Sequence, residues 1–249
     1  MSGKKKGSFD PLRFLTRLQR SLRKRVLHRR FGEEWNARGA FQKRHYESYE
    51  AYLEHQRAKL KAHDFANYDT EFRTALRERL GALDVDWPGK TVLCLAARIG
   101  TEVKAFLDLG CFAIGIDLNP GKENRYVVQG DFHDLQFAPK SVDVVYTNSL
   151  DHAFDIGRIA TEVLKVLKPE GLLVVEAVHG GDQGVAPGFF ESFFWSDIDE
   201  LISVFETAGF KVTHRAPMTH PWPGEAICFR PRWDERADSP GGAFSKPPA

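Results

Sequence analysis

The sequence is poor in cysteine and has no long apolar run. Cys94, Cys111 and Cys228 are its only three cysteines, and no two stand at a ligand-like or disulfide-like spacing. That argues against a disulfide framework and against a cysteine zinc site. No apolar stretch approaches the ~18 residues needed to cross a bilayer. The N-terminus is basic but lacks the apolar segment of a secretory signal, so a reducing cytoplasm is the expected compartment. The G-x-G-x-x-G loop of a dinucleotide site is missing, which speaks against a nicotinamide-dependent oxidoreductase or epimerase. His133, His152 and His179 each follow a different expected strand, with no two on one helix face, so no metal site is expected.

A net charge of +1 says little about partners, but its distribution says more. Residues 1–30 carry eleven Lys/Arg against one acid, Asp10, and the rest of the chain is acidic. Asp10-Pro11 reads as a helix N-cap followed by proline at the first helical position. Leu12, Leu15, Leu18, Leu22 and Val26 then recur at helical spacing among arginines and lysines. Such a basic amphipathic helix either packs its leucine stripe on the domain or lies on an anionic surface, which makes peripheral membrane contact a candidate role. Residues 33–63 are strongly helical in composition, with a Tyr46, Tyr49, Tyr52 stripe. Tyr46, Tyr49 and His45 are kept as substrate-contact candidates. A further helix is expected from Asp69 to Leu80. Residues 1–83 thus read as a basic, helical N-terminal extension, 84–230 as an α/β domain and 231–249 as a disordered Pro/Gly-rich tail.

Residues 91–100, TVLCLAARIG, organise the α/β part. Val92 to Ala96 form a short apolar run between Pro88-Gly89 and Gly100, as in a strand buried on both faces. A helix follows to Leu109, stopped by Gly110. Phe112 to Ile116 is a second apolar run ending on Asp117. Strand, loop, helix, strand and acid make the first half of a nucleotide-binding α/β unit, where the acid accepts hydrogen bonds from ribose hydroxyls. A third strand, residues 126–129, is followed by Gly130-Asp131-Phe132. A fourth, from Val142, ends in Thr147-Asn148-Ser149-Leu150-Asp151-His152. Polar residues at the carboxyl ends of central strands mark the ligand cleft of an open α/β sheet. Residues 189–195, FFESFFW, read as the hydrophobic entry to a helix capped by Ser196-Asp197, with the lining of a substrate pocket as the alternative. Two closing strands, 210–216 and 226–229, complete the pattern.

At these residues the chain resembles the class I S-adenosylmethionine-dependent methyltransferases, with a methyltransferase type 11-like domain over about 84–230. The family's first motif is an acid-x-Gly-x-Gly-x-Gly loop. Here Cys94 stands in the acid's place, Ala96 and Arg98 replace two glycines, and Gly100 remains. The resemblance implies a Rossmann-like seven-stranded, mostly parallel sheet with helices on both faces. It implies S-adenosyl-L-methionine as cofactor, bordered by Ala96, Ala97, Arg98 and Gly100. Asp117 would hold the ribose, with Leu118 beside it in the cofactor site, Asp131 and Phe132 the adenine, and Asn148 or Ser149 would approach the methionine or ribose end. His152 is the candidate general base, because imidazole is neutral near pH 7. His179 and Asp182 are secondary substrate candidates. The acceptor would be a small molecule, a sugar or a lipid-linked sugar. Nucleic acid is disfavoured, since no Asn-Pro-Pro-aromatic or catalytic cysteine motif is in place. The alternative is a methyltransferase fold that has lost its cofactor and acts as a binding or scaffold module.

Overall fold

The computed structural model describes residues 26, 29–32, 34–59 and 68–232. The basic helix expected after Asp10 lies almost wholly outside them, as does the tail from residue 233. Ten strands and five α-helices follow one another in the described residues, beginning with β1 (Trp35–Arg38) and β2 (Phe41–Arg44). Helices α1 (Tyr49–Arg57) and α2 (Tyr68–Gly81) come next. Then follow β3 (Thr91–Leu95), α3 (Thr101–Asp108), β4 (Phe112–Asp117), β5 (Val127–Gln129) and β6 (Val142–Thr147). The chain continues through α4 (Ile156–Val166), β7 (Leu167–Val178), β8 (Phe193–Trp195), α5 (Ile198–Thr207), β9 (Phe210–Met218) and β10 (Gly224–Pro231).

Seven strands form one sheet in the order β5-β4-β3-β6-β7-β10-β9, in which β10 runs antiparallel to both of its neighbours. Strands β5, β4, β3, β6 and β7 are parallel, so their carboxyl ends share one edge. The chain moves outward from β3 to β5 and then returns to β6 beside β3. This reversal of strand order opens a crevice at that edge.

Alternation along each strand sends successive side chains to opposite faces. Leu93, Leu95, Val145, Leu173 and Val175 pack with α4 and α5. Val92, Cys94, Val144, Tyr146, Leu172 and Val174 pack with α2 and α3. Each large apolar side chain fully buried in this way contributes roughly 1.5–3 kcal/mol of transfer free energy. Asp155 and Asp197 cap α4 and α5, accepting from the backbone N–H of Arg158 and Asp199. The expected sheet, with helices on both faces, is the one observed.

Two expectations are corrected. Residues 33–63 are not helical throughout: β1 and β2 form a hairpin turned at Gly39, whose φ of 61° is left-handed and free of steric cost only for glycine. The segment FFESFFW is not simply a helix entry, because Phe193–Trp195 pairs antiparallel with β2. Local composition favoured helix in the first case, and the edge-to-edge pairing of two distant segments overrode it. The extension is therefore stitched into the main body by a three-stranded sheet, and α1 is carried over the crevice.

Candidate active site

The loop after β3 keeps a glycine-type backbone without most of the glycines. Ala96 and Arg98 sit at φ of 53° and 44°, the left-handed region that costs an L-residue roughly 1–2 kcal/mol. Gly100 follows at φ 83°, and a Cβ there would lie 2.7 Å from Tyr126 Cβ. The loop is fixed by Ala97 N–H donating to the Ile116 carbonyl at 2.9 Å and Gly100 N–H donating to the Ala97 carbonyl at 2.6 Å. Cys94, in the acid's usual place, is fully buried, and burial pushes its thiol well above the ordinary range. It supplies no charge to the cleft.

Asp117, at the end of β4, closes the loop from the other side. Its carboxylate accepts from the backbone N–H of Arg98 at 3.0 Å and from that of Asn119 at 2.8 Å. Each oxygen carries one backbone bond and retains acceptor capacity toward the crevice.

Asp131, beyond β5, is engaged differently. It accepts from Tyr49 Oη at 2.5 Å and from the backbone N–H and the ring Nδ1 of His133, each at 2.9 Å. His133 Nε2 in turn accepts from the backbone N–H of Phe154 and of Asp155, each at 3.1 Å. These partners fix the neutral tautomer with hydrogen on Nδ1. Burial pushes the Asp131 carboxyl up, but the bonds from His133 and Tyr49 outweigh it and hold the group below its ordinary value.

Past β6, Asn148 Nδ2 donates to Glu102 Oε1 at 3.2 Å, and Ser149 Oγ donates to Asn148 Oδ1 at 3.0 Å. Glu102 is buried, and burial raises its carboxyl. His152 Nδ1 donates to the Phe190 carbonyl at 2.9 Å, and its Nε2 meets the Lys59 amine. Burial, then the Lys59 charge, pushes the His152 pKa down to about 3. Burial lowers Lys59 to about 7. Asp151, His152 and Glu191 bring ligand-type atoms within 4.8 Å of one another. The Lys59 amine contacts this cluster through His152 Nε2.

Two cavities meet at this edge. The narrower, about 50 Å³, is lined by Ala96, Arg98, Asp117, Leu118, Phe132, Ser149 and His152, and by Tyr52, Gln56 and Lys59 from above. The larger, about 400 Å³, lies beyond Arg98, Asn148, Asp151 and His152. Its walls include Phe190, Phe194, Trp195 and Trp222. Glu176 at its floor is held bidentately by Arg79 at 2.7 and 2.9 Å and accepts from Tyr146 Oη at 2.9 Å. Arg98, Lys59 and His152 border both cavities.

Of the eleven residues expected to bind cofactor or act as base, eight thus line one crevice: Ala96, Arg98, Asp117, Leu118, Phe132, Asn148, Ser149 and His152. Ala97, Gly100 and Asp131 line neither cavity, nor do Tyr46, Tyr49, His45, His179 and Asp182. Tyr46 instead bonds Ser192 Oγ at 2.6 Å and His55 Nδ1 at 2.8 Å. Lys59, Gln56, Glu191 and Trp222 escaped sequence reading. Of the lid residues only Tyr52 carried a signal, as a member of the tyrosine stripe.

Residues 93–175 match a family model described as a methyltransferase domain. None of the curated proteins matches the chain. Among solved structures, a Burkholderia thailandensis 1,6-didemethyltoxoflavin-N1-methyltransferase with bound S-adenosylhomocysteine superposes with a TM-score of 0.59 at 16% identity, over 80% of this chain and 99% of that one. A Pyrococcus horikoshii protein gives 0.55 at 17% identity, over 68% and 93%. A SAM-dependent methyltransferase from Aquifex aeolicus gives 0.53 at 16%, over 69% and 96%. Residues 93–175 are thus similar to a methyltransferase domain, and the chain shares its fold with S-adenosylmethionine-dependent methyltransferases of known structure.

Proposed function

We propose that the chain transfers a methyl group from S-adenosylmethionine to a small-molecule acceptor held in the larger cavity. The observation that carries this reading is the Asp117 carboxylate. Two backbone N–H groups hold it at the strand end where ribose hydroxyls would donate, beside a loop that keeps its left-handed turns at Ala96 and Arg98. This polar set fits the adenosine end of the cofactor. Phe132 and Leu118 offer apolar faces for the base, while Asp131 acts through the β5–α4 connection rather than from the cavity wall. The Burkholderia thailandensis enzyme holds S-adenosylhomocysteine, which agrees with this assignment.

When bound, the cofactor supplies an electrophilic sulfonium methyl. The chain's part is alignment and exclusion of water, since an in-line displacement needs few chemical groups. A cavity of about 400 Å³ suits an acceptor of small-molecule size. Two buried wall atoms, Glu191 Oε2 and Trp222 Nε1, have no hydrogen-bond partner among the described residues. An acceptor presenting one donor and one acceptor group would satisfy both, which is how buried polar atoms are normally found. His152, with hydrogen on Nδ1, turns its Nε2 lone pair toward Lys59 at the seam. It would take a proton from an acceptor hydroxyl or amine only once the Lys59 amine has moved away.

Calorimetric titration with S-adenosylmethionine and S-adenosylhomocysteine, in wild type and Asp117→Ala, tests the cofactor assignment. Micromolar binding that falls at least tenfold in the variant is expected, because two ribose hydroxyl bonds to a carboxylate are lost. A folded wild type that binds neither ligand would favour the scaffold reading.

A further inference from the structure

Arg98 puts a cation at a position that glycine would fill with less strain, among Tyr68 and the carboxyls of Glu102, Asp117 and Asp151. Its φ of 44° is one that glycine adopts freely and arginine adopts at a cost. The backbone there is pinned on both sides: its N–H donates to Asp117 Oδ2 at 3.0 Å, and its carbonyl accepts from Asn124 Nδ2 at 3.0 Å. The side chain therefore leaves the loop in one direction. The guanidinium lies 5.2 Å over the Tyr68 ring and donates to Tyr68 Oη at 3.3 Å. It borders the nucleoside-side cavity and the larger cavity at once.

We infer that the Arg98 guanidinium binds the α-carboxylate of the cofactor's methionine moiety, at the seam between the two cavities. This rests on the cofactor assignment above. With adenosine over Leu118 and Phe132, and the methyl directed at the larger cavity, the amino-acid end has to lie along the 96–98 loop. Of the three residues Ala96, Ala97 and Arg98 in that loop, Arg98 alone carries a cation, so a charged contact to the carboxylate comes from it. A planar guanidinium matches a carboxylate in bidentate geometry, and such pairs are the strong class of hydrogen bond. Tyr68 steadies the guanidinium plane where it borders the cavities. The exchange of glycine for arginine thus moves recognition of the methionine end from backbone amides to a side chain.

The test compares two ligands that share adenosine and thioether but differ in the amino-acid end: S-adenosylhomocysteine and 5′-methylthioadenosine. Each is titrated by calorimetry into wild type, Arg98→Ala and Arg98→Lys, all shown to be folded by thermal unfolding. The inference expects Arg98→Ala to weaken S-adenosylhomocysteine by about tenfold to a hundredfold, the range for a charge-assisted bond. It expects 5′-methylthioadenosine to change by less than about twofold, with Arg98→Lys intermediate for the first ligand only. Equal losses for both ligands would overturn it and make Arg98 a support of the loop. Unchanged or tighter S-adenosylhomocysteine binding by Arg98→Ala would overturn it and make Arg98 a plug. Binding of neither ligand by any of the three proteins would overturn the cofactor assignment and this inference with it.

Discussion

Tyr49 Oη donates to Asp131 Oδ2 at 2.5 Å, joining the first turn of α1 to the residue after β5. The same carboxylate holds His133, whose far nitrogen accepts the backbone N–H groups leading into α4. One acid therefore ties the N-terminal extension, the third parallel strand and a core helix together. Tyr49→Phe is expected to cost about 1–2 kcal/mol at neutral pH, the range for a bond to a charged acceptor. The Asp131 carboxyl is held below its ordinary value, so its contribution is present above about pH 4, the unfolded carboxyl range, and is lost as pH falls through the lower folded value. Denaturant unfolding of both proteins should show a gap that narrows as pH drops from 5 toward 3. A gap of the same size throughout would assign the loss to packing of the ring.

His152 is expected to stay neutral far below the usual imidazole range. Its pKa sits at about 3, chiefly through burial and next through Lys59. A histidine depressed in the fold stabilises fully above its unfolded value of about 6.5, and that contribution is lost as pH falls from there toward the folded value. Wild-type stability should therefore decline between pH 6.5 and 4.5, and His152→Asn should flatten the decline. The His152 ring carbon signals in NMR should not titrate between pH 8 and 5. Lys59→Met should raise the apparent pKa while leaving it below 6.5, since burial remains. A His152 that titrates near 6.5 in the wild type would contradict the buried pairing with Lys59.

The fold was legible because strand alternation and helix stops are local. Val92 to Ala96, Phe112 to Asp117 and Val142 to Tyr146 announce buried parallel strands, and Asp117 and the polar run from Thr147 mark the crevice. The hairpin at Gly39 was not legible, since its strands exist only through pairing with Phe193–Trp195, some 150 residues away. Asp131 illustrates a subtler limit. Its place after a strand suggested an adenine contact; its Oδ1 also serves His133 and its Oδ2 Tyr49, partners that a sequence does not show. Lys59 had no periodic or motif signal. Its importance comes from a helix folded back over a site assembled from residues 96 to 222.

That helix leads to the last prediction. Tyr52 Oη donates to the His152 carbonyl at 3.0 Å, Gln56 Nε2 donates to the Phe190 carbonyl at 2.8 Å, and Asn119 Nδ2 donates to the Arg57 carbonyl at 2.8 Å. Together they hold α1 over the narrower cavity, with Tyr52 and Gln56 as part of its roof. Entry of the adenosine end beneath α1 is expected to need these side chains to withdraw, so that α1 opens and recloses with each cofactor exchange. With the Tyr49 bond to Asp131 and the Gln56 bond to Ser192 Oγ, these contacts, each worth roughly 0.5–1.5 kcal/mol net, place the open form several kcal/mol above the closed one, within reach of local opening. Gln56→Ala removes the bonds of its Nε2 to the Phe190 carbonyl and to Ser192 Oγ and should raise the open population by about tenfold to a hundredfold. Hydrogen exchange of amides 49–57 in the free protein should accelerate by that factor, and the association rate of S-adenosylhomocysteine should rise with it, because binding draws on the open fraction. Saturating ligand should slow exchange of the same amides. If exchange over 49–57 is unchanged by the substitution and by the ligand, α1 does not gate the site, and entry must proceed from the larger cavity past Arg98.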